Sequence, residues 1–110
     1  MKKYKYKVNK NITAKQLKEY GFIRISKNEY YYRTSVYRYK KMPLVFMVFT
    51  INIEECPHIT IDCETNNHIP FVPFYNDKYS NDNQVLKIIK NKEQIILNDM
   101  VNNKILIEKQ

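Results

Sequence analysis

The hydrophobic positions of the chain follow two periods, and each stretch of constant period predicts one element. Residues 3–8 alternate lysine with tyrosine or valine, so the first element is a strand with one basic and one apolar face. Thr13 and Gln16 then form a capping-box pattern, and Gly21, the one glycine of the chain, stands where a left-handed residue commonly ends a helix. These signals predict a short helix over residues 14–20, which must pack on a sheet because two turns are not stable alone.

The next part of the chain carries strand signals. Residues 22–26 predict a strand with Ile23 and Ile25 turned inward, and a turn separates it from a tyrosine-rich segment at residues 30–40. In that segment the polarity changes sides near Ser35, which predicts a β-bulge or a bend. Strict alternation divides the segment between two faces, with Tyr30, Tyr32, Thr34 and Val36 on one and Tyr31, Arg33, Ser35, Tyr37 and Tyr39 on the other.

Two more strands follow after a turn at residues 41–43. Residues 44–53 are apolar on both faces, which is typical of a central strand covered on both sides. In residues 58–64 the pattern alternates instead, with isoleucines and Cys63 inward and Thr60, Asp62 and Glu64 outward. This segment therefore predicts a strand with one face in water.

The C-terminal third begins with a proline-containing segment and continues with a helical pattern. Pro70 and Pro73 predict an extended loop rather than a helix or inner strand, lying over the sheet edge. Asn81 or Ser80 caps the predicted helix, which runs to about residue 101, and residues 104–108 fit either a last strand or a helix extension. The apolar residues at helical spacing are Val85, Ile88, Ile89, Ile96 and Met100.

Together these elements predict the order β-α-β-β-β-β-α, with a possible final strand. Successive strands joined by short turns form antiparallel sheets, so the predicted fold class is α+β. We expect one domain over residues 1–110, built on a single antiparallel sheet of four to six strands with a short N-terminal and a longer C-terminal helix. The oligomeric state is open at this point.

Composition narrows the class of protein. A hydrophobic content of 44% is that of a globular chain. The basic N-terminus leads into no apolar segment, and the longest apolar run is too short to span a bilayer. We therefore expect a cytoplasmic protein without a membrane partner, in which Cys56 and Cys63 remain thiols.

The net charge of +8 is distributed unevenly. Residues 1–41 hold thirteen lysines and arginines against two acids, whereas residues 42–110 have an acidic balance. Tyrosine rings beside cations are the groups that bind single-stranded nucleic acid, through stacking and phosphate contacts. The candidate site, for nucleic acid, a nucleoprotein or another partner, consists of Lys3, Lys5, Lys7, Tyr31, Arg33, Tyr37, Arg38, Tyr39, Lys40 and Lys41.

Two alternatives explain the same residues without nucleic acid. Tyrosine is a favoured strand residue that buries its ring and leaves its hydroxyl in water. Heavy use of lysine and asparagine also fits the codon bias of an AT-rich genome, and only three of the nineteen cations are arginines, the better phosphate ligands.

The sequence gives little support for a catalytic site or a metal site. The spacing of Cys56, His58, Cys63 and His68 matches no zinc pattern, and strand alternation separates Cys63 from His58. Acids at Glu54, Glu55, Asp62 and Glu64 fit an exposed polar strand face. The chain has no glycine-rich phosphate loop and no nucleophile elbow. We expect a non-enzymatic protein with no cofactor and no metal.

The segment LKEYGFIRISKNEYYYR, residues 17–33, resembles small accessory proteins of phages and conjugative elements of low-GC Gram-positive bacteria. The resemblance covers about the first half of the chain. It implies a mobile-element protein and brings in a second function, inhibition of a host defence enzyme by protein–protein contact, as anti-CRISPR proteins do. Many anti-CRISPR proteins are acidic DNA mimics, so a basic inhibitor must bind an acidic protein surface or the nucleic acid.

Overall fold

The computed structural model describes residues 6–54, 57–76 and 83–108. Within them the chain forms six strands and three helices, in the order β1–α1–β2–β3–β4–β5–α2–α3–β6. The strands are β1 (Tyr6–Val8), β2 (Ile23–Arg24), β3 (Glu29–Tyr39), β4 (Met42–Asn52), β5 (His58–Thr65) and β6 (Leu106–Glu108). The helices are α1 (Ala14–Tyr20), α2 (Val72–Tyr75) and α3 (Gln84–Asn102).

The fold is α+β with antiparallel strands, as the sequence predicts, but the strands lie in two sheets rather than one. The larger has the order β2-β3-β4-β5, and the smaller pairs β1 with β6. The connection that follows α3 contains Lys104, which has a φ of 61°. Its carbonyl accepts a 2.9 Å hydrogen bond from the Asn9 side chain. The chain then enters β6. Residues 104–108, whose sequence fits either a strand or a helix extension, therefore contain a strand.

The central strand β4 provides the largest part of the core. Its inward side chains Met47, Phe49 and Ile51 have no exposed surface. The opposite face, with Phe46 and Val48, is half-buried, so the expectation of full cover on both sides is wrong. This apolar strand therefore has one face with no solvent contact and one face that is partly exposed, on which the Arg33 guanidinium covers the Phe46 ring.

The inward direction predicted for β2 is also wrong. Ile23 and Ile25 are 57% and 53% exposed, whereas Phe22 is buried. The cause is the end of α1, where Gly21 donates to the carbonyls of Leu17 and Lys18 and Phe22 donates to that of Leu17. This bonding turns the Phe22 ring toward the core, and alternation then sends the two isoleucines to the surface.

The buried stripe of α3 differs from the predicted one. Asn83 caps the helix by accepting from the Leu86 backbone at 3.0 Å, while the predicted caps Asn81 and Ser80 lie outside the described residues. Ile88 is 46% exposed. The helix buries Leu86, Ile89, Glu93, Leu97 and Met100. Contacts with the sheet therefore decide the buried face, which includes a glutamate that hydrophobic periodicity would not select.

The proline-containing segment lies against the free edge of β5, as the sequence predicts. Phe71 donates to the Cys63 carbonyl at 2.9 Å, and the Cys63 amide donates to the Tyr75 hydroxyl at 2.8 Å. Contrary to the predicted loop, residues 72–75 form one helical turn. Pro73 is compatible with it because a first-turn residue has no intrahelical partner for its amide.

Replacing Gly21 should destabilise the fold. At a φ of 125°, a β-branched residue is strained, and a Cβ there would lie 3.1 Å from Tyr32 Cε1. Gly21→Val is expected to reduce the free energy of unfolding by more than ~1 kcal/mol. Urea denaturation measures this, with Lys15→Val on the exposed side of α1 as the control. An unchanged midpoint for Gly21→Val would contradict the role of the glycine.

Stability should also fall in alkali. Burial, together with the Asp62 carboxylate at 3.1 Å, raises the pKa of Tyr75 to about 12, and burial and Asp99 raise the pKa of Tyr20. Because the unfolded chain loses these protons first, the free energy of unfolding should decline as the pH rises from about 10 to 12. Urea denaturation of Tyr75→Phe should give a shallower decline, and a decline equal to that of the wild type would contradict this role of Tyr75.

Candidate functional site

The residues of the predicted site lie in several places. Lys3 and Lys5 are outside the described residues, and Lys7 is exposed on β1. Tyr31 and Arg33 lie on the face of the large sheet turned away from the core. The remaining members, Tyr37, Arg38, Tyr39, Lys40 and Lys41, lie at the far end of the β3–β4 hairpin.

A bulge at Val36 divides the tyrosine-rich strand. Ser35 pairs with Phe46 and Tyr37 pairs with Val45, so Val36 is an extra residue without a partner in the register. Because paired residues share a face, the bulge moves Tyr37 to the core-facing side with Val45. The predicted bulge is confirmed, but the set Tyr31, Arg33, Tyr37 and Tyr39 does not form one continuous face.

Arg33 is held by contacts within the protein. Its Nε donates to Glu64 Oε2 at 3.1 Å, and its guanidinium lies 3.7 Å from the centre of the Phe46 ring. His68 Nδ1 lies 2.7 Å from the same carboxylate oxygen. Since the Arg33 and Glu64 side chains are 24% and 20% exposed, their main role is to join β3 to β5 across the outer sheet face.

Three exposed basic residues lie within four positions at what we call the hairpin tip, defined as Arg38, Tyr39, Lys40, Lys41 and Met42. Lys40 and Lys41 have φ values of 49° and 68°, which makes the connection a two-residue turn with both residues left-handed. Asn-Gly is the preferred sequence for such a turn, so two lysines there are strained. The Lys40 ammonium lies 5.5 Å from the Tyr39 ring centre.

Below the hairpin tip lies a cavity of about 550 Å³, here called the amide cleft. Its volume is typical of small-ligand sites. The described residues that line it include no charged side chain. They are Tyr37, Leu44, Val45, Thr65, Asn66, Asn67, Ile69, Phe71, Pro73, Asn83 and Val85.

The walls of the amide cleft are fixed by hydrogen bonds of neighbouring turns. Thr65 Oγ1 accepts from the amides of Asn67 and Ile69, both at 3.3 Å, and the Asn66 amide donates to the Leu44 carbonyl at 3.0 Å. On the opposite wall, Asn83 is fixed as the cap of α3. The cleft is therefore formed in advance of any ligand.

A second, smaller cavity lies on the other side of Tyr37. This basic groove of about 250 Å³ is lined by Ser35, Val36, Tyr37, Arg38, Ile88 and Lys92. Tyr37 lines both cavities and thus stands between an uncharged cleft and a groove with two cations. The sequence indicates Tyr37 and Arg38 as site residues but not Lys92 or the cleft asparagines, because only tertiary packing brings these segments together.

The described residues form neither a metal site nor a membrane-spanning helix. Among the described residues, no three histidine, cysteine or acidic side chains come close enough to hold a metal ion. Cys63 is buried and Cys56 lies outside the described residues. Among the helices in the described part of the chain, none is long and apolar enough to cross a membrane.

Comparison with known proteins gives one informative result. Neither a protein-family model nor a curated protein matches the chain. Among solved structures, a DUF1831 family protein from Lactobacillus plantarum is similar, with a TM-score of 0.68 and 14% sequence identity over 93% of this chain and 84% of that one. The likeness is one of fold. It independently supports the α+β arrangement and carries no activity to this chain.

Substitutions in the turn of the hairpin tip should make the protein more stable. Replacing Lys40 and Lys41 by Asn and Gly supplies the sequence that the left-handed turn prefers, so the double variant should unfold at a higher urea concentration, by about 1 kcal/mol or more. Lys40→Gln/Lys41→Gln, which removes the charge but keeps the strain, is the matched control. Equal stability of the two variants would contradict a strained turn.

Proposed function

We propose that the protein is a non-enzymatic module of the cytoplasm that binds single-stranded nucleic acid, alone or within a nucleoprotein, through its hairpin tip. The observation that carries the proposal is the Tyr39 ring, which is 56% exposed and has the Lys40 ammonium 5.5 Å from its centre, with exposed Arg38 and Lys41 close to it along the chain. Cations contact phosphates and an accessible aromatic ring stacks on bases.

The strain of the turn adds support. Lysine in a left-handed turn costs stability that asparagine and glycine would not, and conformations of this kind tend to persist where they serve a function. Lys92, which lines the basic groove together with Arg38, extends the positive surface beyond the hairpin tip. Arg33 is not part of the proposed interface, because its ion pair with Glu64 already neutralises its charge.

The second candidate function is inhibition of a host defence enzyme by protein–protein contact, which is the role implied by the resemblance to mobile-element proteins. One observation favours it independently. Ile23 on the edge strand β2 and Ile25 just after it are both more than half exposed, and exposed apolar groups of this kind are common in protein interfaces. This surface lies at the β2–β3 end of the sheet, away from the hairpin tip.

Salt-dependent binding tests the proposed function. Fluorescence anisotropy with a labelled single-stranded oligonucleotide should give an affinity that falls steeply with salt. Lys40→Gln/Lys41→Gln should flatten the slope of log K against log salt by about 1.4, since each phosphate contact on a single strand contributes roughly 0.7.

A charge-matched control separates a site from general attraction. Lys15→Gln/Lys27→Gln removes the same charge, and Lys27 precedes the opposite end of β3, on the order of 30 Å from the hairpin tip at about 3.3 Å per residue. The control should retain most of the slope. Equal losses in the two variants, or no measurable affinity of the wild type at low salt, would overturn the proposed function.

A further inference from the structure

The amide cleft and the hairpin tip are adjacent along both strands of the β3–β4 hairpin. Tyr37 and Leu44 line the cleft, and the chain passes from Tyr37 directly into Arg38 and from Leu44 through Pro43 to Met42. A ligand bound along the hairpin tip therefore reaches the mouth of the cleft within one or two residues of backbone. The two features must be considered together.

The chemistry of the cleft selects the kind of group that enters it. No charged side chain is among the described residues that line it, so a phosphate, a carboxylate or an ammonium group would lose its hydration without gaining an ionic partner. The aromatic side chains Tyr37 and Phe71 offer stacking surfaces. The side-chain amides of Asn66, Asn67 and Asn83 can each donate and accept hydrogen bonds. These properties fit a flat, neutral ring with polar edges.

We infer that the amide cleft accepts an unpaired nucleobase of a strand whose phosphates lie on the hairpin tip. The inference rests on the proposed function and adds to it a specific subsite. Charge complementarity places the sugar–phosphate backbone on Arg38, Lys40 and Lys41, and the uncharged cleft takes the base. Carboxamides bind base edges, and tyrosine or phenylalanine rings bind base faces, in sites that recognise single strands.

The preformed walls strengthen the inference. Thr65 Oγ1 holds the turn that carries Asn66 and Asn67, and the α3 cap holds Asn83, so binding a base need not first order the lining residues. A long acidic peptide is the competing ligand for a basic surface, but it would fill the cleft with carboxylates that have no cation there. The two ligands can be separated by experiment.

The first experiment uses the wild-type chain and changes only the ligand. An eight-nucleotide deoxythymidine strand is compared with the same strand carrying abasic residues, in anisotropy titrations at fixed low salt. Loss of a base from the cleft should weaken binding roughly 5- to 150-fold, which is the range for removal of one stacked base. Backbone charge is unchanged, so the salt slope should remain the same.

The second experiment changes the cleft. Tyr37→Leu should lower affinity for the intact strand but not for the abasic strand, while Tyr31→Leu, the same truncation on the outer sheet face, should lower neither. Because Tyr37 packs against the core, Asn66→Ala/Asn67→Ala at exposed positions provides a variant that folds independently of that packing. It should show the same selective loss.

The outcomes separate the subsite from the proposed function. Equal affinity for intact and abasic strands, with a steep salt slope, would overturn the base subsite and leave binding at the hairpin tip. No binding of either strand would overturn both. The third experiment uses a ten-residue polyglutamate peptide as a competitor of the strand. If it displaced the strand and perturbed the side-chain amide NMR signals of Asn66, Asn67 and Asn83, the cleft would belong to an acidic peptide and the inference would be wrong.

Discussion

The pairing of β3 with β4 is the constraint on which the rest of the molecule depends. These eleven-residue strands form the centre of the large sheet, and β4 buries Met47, Phe49 and Ile51 completely. A shift of one residue in this register would exchange the two faces and expose the core side chains. The positions of α3, β5 and the aromatic group around Tyr32 all follow from the face that this pairing turns inward.

The same pairing creates the candidate site by being interrupted at two neighbouring points. Val36 on β3 and Leu44 on β4 have no partner in the register, so Tyr37 turns toward the cavities, and the original register returns at Arg38 and Tyr39, which lead into the exposed turn. Bulges of this kind redirect side chains next to binding sites in many sheets. Here the redirected ring separates a surface of cations from an uncharged cavity, which gives one end of the hairpin two different chemistries.

Much of the fold could be predicted from local signals, because those signals act within a few residues. Thr13, Gln16 and Gly21 set the two ends of α1, a run apolar on both faces predicts β4, and alternation predicts β5. Burial of Glu93 and exposure of Ile88 could not be predicted, since the contacts that decide them come from distant strands. The cleft asparagines had no sequence signal either. They come from the turns after β5 and before α3, and only the folded chain brings them to one cleft.

Scarcity of glycine has a consequence for the unfolded chain. Among the described residues, four other than glycine adopt left-handed backbone angles, and each is less stable there than glycine would be. They are Lys40, Lys41, His68 and Lys104. A chain with a single glycine has, however, fewer conformations available when it is unfolded and loses less entropy on folding. The strain at the turns is thus offset in the denatured ensemble, so the native contacts alone give an incomplete account of what keeps this protein folded.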